Sequence, residues 1–253
     1  MDKTINNLIS VNICTYNRAD FIEEAIKSAL EQTYTNIEII VTDDASTDNT
    51  KEIVESFNNP KIKYFKNETN LGISKNRNVA LSKSSGEYIA VLDSDDFWRD
   101  KSKLEKQIAF LENNKNYAVI GTQTMAVTET GKFYRKICNK TSNKKIKNNL
   151  LLKNQFVNSS TLIRHSVINE VGKYNESLIL NEDYDLFLKI GEKYQLHNLE
   201  EFSTSYRIGE QNTMNNKKVA AKVHHEIIKK YNDYPNYFVA LIKSYLRILK
   251  SLI

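Results

Sequence analysis

Three short, mostly apolar runs at residues 8–14, 37–41 and 88–92 each break straight into polar residues, and helix-patterned segments lie between them. Strands that alternate with helices need crossover connections. The chain is therefore expected to build a mainly parallel α/β sheet, whose ligands gather at the carboxyl ends of the strands. Those ends carry Thr15-Tyr16-Asn17-Arg18, Asp43-Asp44-Ala45-Ser46 and Asp93-Ser94-Asp95-Asp96. Convergence of the three at one crevice is a physical reason to read them as a single site.

The helices follow from spacing. Ile22, Ala25, Ile26, Ala29 and Leu30 share one face. Ser46-Thr47-Asp48 suits a helix start, and Ile53, Val54 and Phe57 follow as its buried side. Residues 61–65 read as another strand, 73–81 as a helix with Ala80 and Leu81 inward, and Leu104, Ile108 and Leu111 mark one more. Past residue 115 the rhythm changes. Residues 117–127 and 132–137 flank Glu129-Thr130-Gly131 as a hairpin, and 132–153 is a Lys- and Asn-rich loop or short helix. A strand is expected at 156–163, a helix at 181–194, and helix from about 215 onward. Residues 1–212 thus read as one domain whose rhythm changes between 1–115 and 116–212, and 213–253 as a C-terminal helical extension.

Composition narrows the class. With 40% hydrophobic and 26% charged residues the chain reads as soluble and globular. A formal charge of +5 is too small an excess to name nucleic acid as partner, and it suits a phosphate-bearing or membrane-surface substrate. Cys14 and Cys138 have no metal or redox spacing, which fits a reducing compartment. The amino-terminal residues lack a signal-peptide pattern, and no apolar run reaches the roughly 18 residues of a membrane span. The expectation is a cytoplasmic protein, with peripheral contact at the inner membrane face held open.

The acidic cluster carries the most chemistry. Asp93, Asp95 and Asp96 crowd behind a buried strand, where like charges repel unless they share a cation. Oxygen ligands suit Mg²⁺ or Mn²⁺; the plainer reading is a turn and helix cap. Asp44 could accept from a base or ribose, or merely cap the next helix. Arg77 falls on the same helix side as Ile73, Ala80 and Leu81, and its fork of donors suits a diphosphate, against the reading of a solvated face. Glu182-Asp183-Tyr184-Asp185 opens a helix, where acids complement the dipole or supply a general base. Spacing alone does not place it near Asp93.

Taken in order, Thr15 to Arg18, Asp43 to Asp48, Asn70 to Asn78, Asp93-Ser94-Asp95-Asp96-Phe97-Trp98 and Glu182 to Leu186 resemble family 2 of the glycosyltransferases, over about residues 8–210. The resemblance implies a GT-A fold: a Rossmann-like, mostly parallel central sheet flanked by helices. It implies an inverting, metal-dependent transfer of a hexosyl or N-acetylhexosaminyl group from a nucleotide diphosphate sugar to an acceptor hydroxyl, in cell-surface polysaccharide or glycan synthesis. Uridine is the implied base, and Mn²⁺ or Mg²⁺ the implied cofactor. Thr15 and Tyr16 would line the nucleoside pocket, Asp44 would recognise the base, and Arg18 and Arg77 would sit with the donor. Asp93 and Ser94 match the ribose and metal approach, with Asp95 as principal metal ligand beside Asp93. Asp183 matches the catalytic base, and Ser159, Ser160 and Glu182 the acceptor side. The family often carries a His shortly after a Tyr-Arg pair; here Tyr206-Arg207-Ile208 is followed by Gly209, and His224 or His225 could take that place only by the accident of folding.

Two rival readings differ in class. A nucleotidyltransferase making sugar nucleotides shares fold and metal, but expects a Gly-rich loop after the first strand, and residues 15–20 hold no Gly. The other is a non-catalytic sugar-nucleotide binder. In the last helix Phe238, Leu241, Ile242, Tyr245, Leu246 and Leu249 share a face beside Lys243, Arg247 and Lys250. That pattern fits a helix packed on the domain or on a second subunit as a homodimer, or one lying on a membrane near a lipid-linked acceptor.

Overall fold

The computed structural model describes residues 7–209 and 217–252. The expected boundary between 212 and 213, and the helix start near 215, lie outside the described residues. Strands β1 (Ile9–Thr15), β2 (Ile37–Asp43), β3 (Ile62–Lys66) and β4 (Tyr88–Val91) form a parallel block in the order β3-β2-β1-β4. Every residue of β1, β2 and β4 is buried. Strands covered on both faces read as apolar runs rather than alternating ones, which is why three of them stand out in the sequence.

The crossovers are α1 (Ala19–Leu30), α2 (Thr50–Ser56) and α3 (Ile73–Lys83). Ile22, Ala25, Ile26 and Ala29 of α1 pack with Val11, Ile13, Ile39 and Val41 on one sheet face. Ala80 of α3 meets Ile40 and Cys14 on the other. Asp48 starts α2: its carboxylate accepts from Thr50 N at 3.1 Å and also from Ala19 N at 3.0 Å, so one acid serves the first turns of two helices.

The sheet then continues through β8 (Leu162–Arg164), β6 (Tyr117–Thr128) and β9 (Gln195–Ile208) to the short β5 (Phe97–Trp98), with β7 (Phe133–Ile137) paired beside β6. This second half mixes directions: β8 is antiparallel to β4 and β6, while β6 and β9 run parallel. The hairpin at 129–131 forms as expected, with Gly131 at φ 79°, a conformation that suits glycine. The basic segment contains a helix, α5 (Asn143–Leu150), which buries Ile146 and Leu150. The strand expected over 156–163 does not form as one piece. Residues Asn158–Ser160 make a 3-10 turn, because the Ser160 and Thr161 hydroxyls bond back to the carbonyls of Val157 and Asn158.

Helices α4 (Lys103–Asn113), α6 (His165–Val171), α7 (Glu182–Lys193), α8 (Lys217–Lys230) and α9 (Tyr237–Lys250) complete the described elements. The C-terminal helices share a core with the second half: Ile227, Ile228, Tyr231 and Tyr234 pack with Leu186, Phe187 and Ile190. Tyr231 Oη donates to Asp185 Oδ1 at 2.9 Å and Tyr234 Oη to Leu188 O at 2.7 Å, which fixes α8 against α7.

Candidate active site

A cavity of about 760 Å³ opens at the carboxyl ends of β1, β2 and β4 and reaches α7, α8 and α9. Thr15, Tyr16, Arg18, Asp44, Arg77, Asp93, Ser94, Asp95, Glu182 and Asp183 all line it. The three strand-end clusters therefore meet, and the α7 acids, which no spacing rule could place, join them.

The joint is Arg77. Its Nε donates to Glu182 Oε1 at 2.8 Å and its Nη2 to Asp93 Oδ1 at 2.8 Å. Arg77 and Glu182 side chains are each 7% exposed. One guanidinium fork on α3 thus ties the end of β4 to the start of α7, where unpaired charges would be costly. Glu182, expected on the acceptor side, lines the cavity and is paired there with Arg77. Arg77 likewise already carries two carboxylates.

Asp183 lies next to that joint. Burial, and then the negative charge of Glu182, push its carboxyl up to about 7, with Arg77 pulling the other way. Asn154 Nδ2 donates to Asp183 Oδ2 at 3.3 Å. A carboxyl poised near neutrality can take up a proton and release it again.

The acidic cluster divides into two roles. Asp93 and Asp95 line the cavity. Burial and the neighbouring Asp93 charge hold the Asp95 carboxyl above its usual range, while Arg18, with Nε 3.7 Å from Asp95 Oδ2, works against them. Asp96, for which the sequence left a shared cation or a turn open, turns inward. It is 1% exposed, accepts from Arg207 N at 2.8 Å and from the Ser159 hydroxyl, and burial keeps its carboxyl well above the ordinary value. Among the described residues no group of three or more His, Cys, Asp or Glu forms a metal cage. Two cavity-lining carboxylates still fit Mg²⁺ or Mn²⁺, which use one or two carboxylates together with water and substrate phosphate oxygens.

Asp44 lines the cavity and does not cap α2. Its carboxylate accepts from Leu71 N at 2.8 Å, Gly72 N at 2.9 Å and Asn67 Nδ2 at 2.9 Å, so it pins the loop before α3 to the end of β2. Thr15 differs: it too is among the residues lining the cavity, but its buried Oγ1 has no hydrogen-bond partner among the described residues. Tyr16 stands 46% exposed at the same wall.

Ser159 and Ser160 do not line the cavity. Both have no exposed surface; Ser159 Oγ accepts from Asp93 N at 3.1 Å and donates to Asp96, while Ser160 Oγ is spent on Val157 O. They brace the acidic turn rather than meet an acceptor.

Three residues outside the expected site set bear on it, among them His224, which only folding could bring there. Arg207 reaches across the sheet, donating from Nε to Asp95 O at 2.8 Å and from Nη1 to Glu129 O at 3.0 Å. His224 and Arg247, from α8 and α9, line the cavity. The His224 ring stacks on Tyr184 with centroids 5.3 Å apart, and burial pushes its pKa down to about 4, so it is neutral at pH 7. His225 instead meets Ser244 Oγ at 2.8 Å, away from the cavity lining. A side chain at Gly209 would start 2.2 Å from Glu129 Oε1, so Glu129 would have to move before a His could stand there.

Comparison with known proteins now bears on this geometry. The model of the family described as Glycosyl transferase family 2 matches residues 10–172. The Escherichia coli UDP-Glc:alpha-D-GlcNAc-diphosphoundecaprenol beta-1,3-glucosyltransferase WfgD is 31% identical over 254 residues, covering 94% of this chain and 95% of its own. S. aureus TarS 1-349, solved in complex with UDP-GlcNAc, superposes with a TM-score of 0.74 at 24% identity, over 94% of this chain and 72% of that one. The mannosyltransferase PcManGT from Pyrobaculum calidifontis, solved with GDP-Man and Mn2+, gives 0.72 at 16% identity, over 98% and 74%. Both structural likenesses speak to the fold.

Proposed function

Since the chain belongs to glycosyl transferase family 2 and has its GT-A fold, we propose that this cavity transfers a hexosyl group, with inversion, from a uridine diphosphate sugar to a lipid-linked glycan acceptor. The observation that carries this reading is the Arg77 bridge, which holds Asp183 and the Asp93–Asp95 turn on one cavity. The relative WfgD, named for UDP-Glc and a diphosphoundecaprenol-linked acceptor, supports the choice of substrates.

Each side chain has a task in that reading. The unpartnered Thr15 hydroxyl and the open Tyr16 ring receive the nucleoside, on a wall shaped by the loop that Asp44 pins. Ser94 borders the ribose, and Arg18 faces the diphosphate from beside Asp95. Asp95, with Asp93, would hold Mn²⁺ or Mg²⁺, which supplies charge neutralisation for a departing diphosphate. Asp183 takes the proton of the acceptor hydroxyl. The acceptor oxygen bonds to the anomeric carbon as the bond to the diphosphate oxygen breaks, and the nucleoside diphosphate leaves with that electron pair. One displacement inverts the carbon. The free thiols, Cys14 buried and Cys138 exposed, suit a reducing cytoplasm.

The test is glucose transfer from UDP-glucose with Mn²⁺, with and without chelator, measured across pH. Asp183 must be ionised to accept a proton, and its carboxyl is held up to about 7. Below that value the rate therefore falls about tenfold per pH unit; above it the rate levels off. Chelation removes the activity. A rate indifferent to chelator, or a profile flat across neutrality, counts against these assignments.

A further inference from the structure

Helix α9 shows two unlike faces. Ala240 and Ser244 are buried against the rest of the chain, with Ser244 Oγ 2.8 Å from His225 Nδ1, and Asn236 at the helix start donates to Asn148 O at 2.8 Å. Opposite them Phe238, Ile242, Tyr245, Leu246 and Leu249 are exposed, Phe238 at 76% and Ile242 at 62%, with Tyr245 at the edge beside His225. At helical spacing these five fill a stripe of roughly 100° of the circumference. Lys243, Arg247 and Lys250 follow one border of it, and residues 234–253 contain no Asp or Glu.

We propose that this face of α9 docks on an anionic lipid bilayer and sets the mouth of the cavity against it. The helix has 14 residues. That is about 21 Å, short of the roughly 30 Å hydrocarbon layer, and among the described residues no helix is long and apolar enough to cross a membrane. An apolar stripe edged by cations suits a helix lying in the interface plane, side chains in the acyl boundary and cations at the phosphates. A second copy of the chain is the poorer occupant. A two-fold contact through this face sets an all-cationic helix against itself, with no acid on it to offset the repulsion. Arg247 both borders the stripe and lines the cavity, so the docked helix and the site share a wall. The docking itself does not depend on the proposed chemistry; its use in presenting a lipid-linked acceptor rests on that reading.

Co-sedimentation with extruded vesicles tests this, using phosphatidylcholine alone and phosphatidylcholine mixed with phosphatidylglycerol. The intact chain binds the mixed vesicles, and salt weakens the binding. Ile242→Asn with Leu246→Asn lowers partitioning at least ~10-fold, and Lys243→Gln with Lys250→Gln lowers it roughly fivefold per charge removed. Both pairs are surface residues outside the cavity lining, so metal-stimulated hydrolysis of UDP-glucose in solution stays at the parental rate. Equal sedimentation of parent and the Asn variant overturns the docking, as does failure of the parent to bind. So does a parental dimer, seen by sedimentation velocity, that the Asn variant converts to monomer. Vesicle binding without turnover, or turnover without vesicle binding, separates a failure of the proposed reaction from a failure of the docking.

Discussion

Replacing Asp183 by Asn lowers sugar transfer by about 10²–10⁴-fold, the usual worth of a general base, while donor binding persists. The amide keeps the size of the side chain and can still meet Asn154, but it cannot take the acceptor proton. The Asp183 carboxylate is not a member of the Arg77 bridge, which uses Glu182. The comparison therefore isolates chemistry from folding. It is read by the initial rate of transfer beside a titration of UDP, and a variant that transfers at the parental rate removes Asp183 from its role. A non-catalytic sugar-nucleotide binder would lose nothing at all.

The second large effect is on stability. Arg77→Met leaves Glu182 and Asp93 facing each other without their cation, with the Glu182 side chain 7% exposed. Breaking one partner out of a buried charge group costs about 3–5 kcal/mol. For a chain of this size that lowers the melting temperature on the order of 10 °C. Adding Glu182→Gln returns part of the loss, because the most buried uncompensated charge disappears. The positive charge of Arg77 also holds the Asp183 carboxyl down. In whatever fraction of Arg77→Met stays folded, the acid limb of the rate profile moves to higher pH. A purely structural arginine would lower the melting temperature and leave that limb in place. A loss under about 1 kcal/mol contradicts the picture of a buried joint.

What the sequence discloses, and what it withholds, follows from where side chains find their partners. The parallel block is legible because β1, β2 and β4 are buried on both faces and show as apolar runs. Their polar ends are legible because the topology fixes where they point. Strand β9 gives no such signal. It carries Glu200 and Glu201 in its middle and buries Ser203, Thr204 and Ser205, so neither apolar alternation nor an apolar run marks it. Serines mislead in the same way at the acidic turn. The resemblance puts Ser159 on the acceptor side, yet its hydroxyl is spent on Asp93 N and Asp96.

The role of Asp44 is hidden for a related reason. Its partners Leu71 N and Gly72 N are backbone groups of a distant loop, and backbone groups leave no trace in residue identity. His224 and Arg247 are the hardest to foresee. They lie in the last two helices, which Tyr231 and Tyr234 help to hold against α7, and no spacing in the sequence shows that they line the cavity. The link between the start of α7 and Asp93 is tertiary as well: two carboxylates of unrelated segments meet at the Arg77 guanidinium.

The proposed transfer requires a nucleoside diphosphate lying between the Asp95 turn and Asp183. A crystal of this chain soaked with UDP and Mn²⁺ addresses that directly. The expected map shows the base beside Thr15 and Tyr16, the ion on Asp95, and the Asp183 carboxylate turned toward the space a sugar would fill. A nucleotide bound anywhere else, or Asp183 swung out into bulk water, contradicts it.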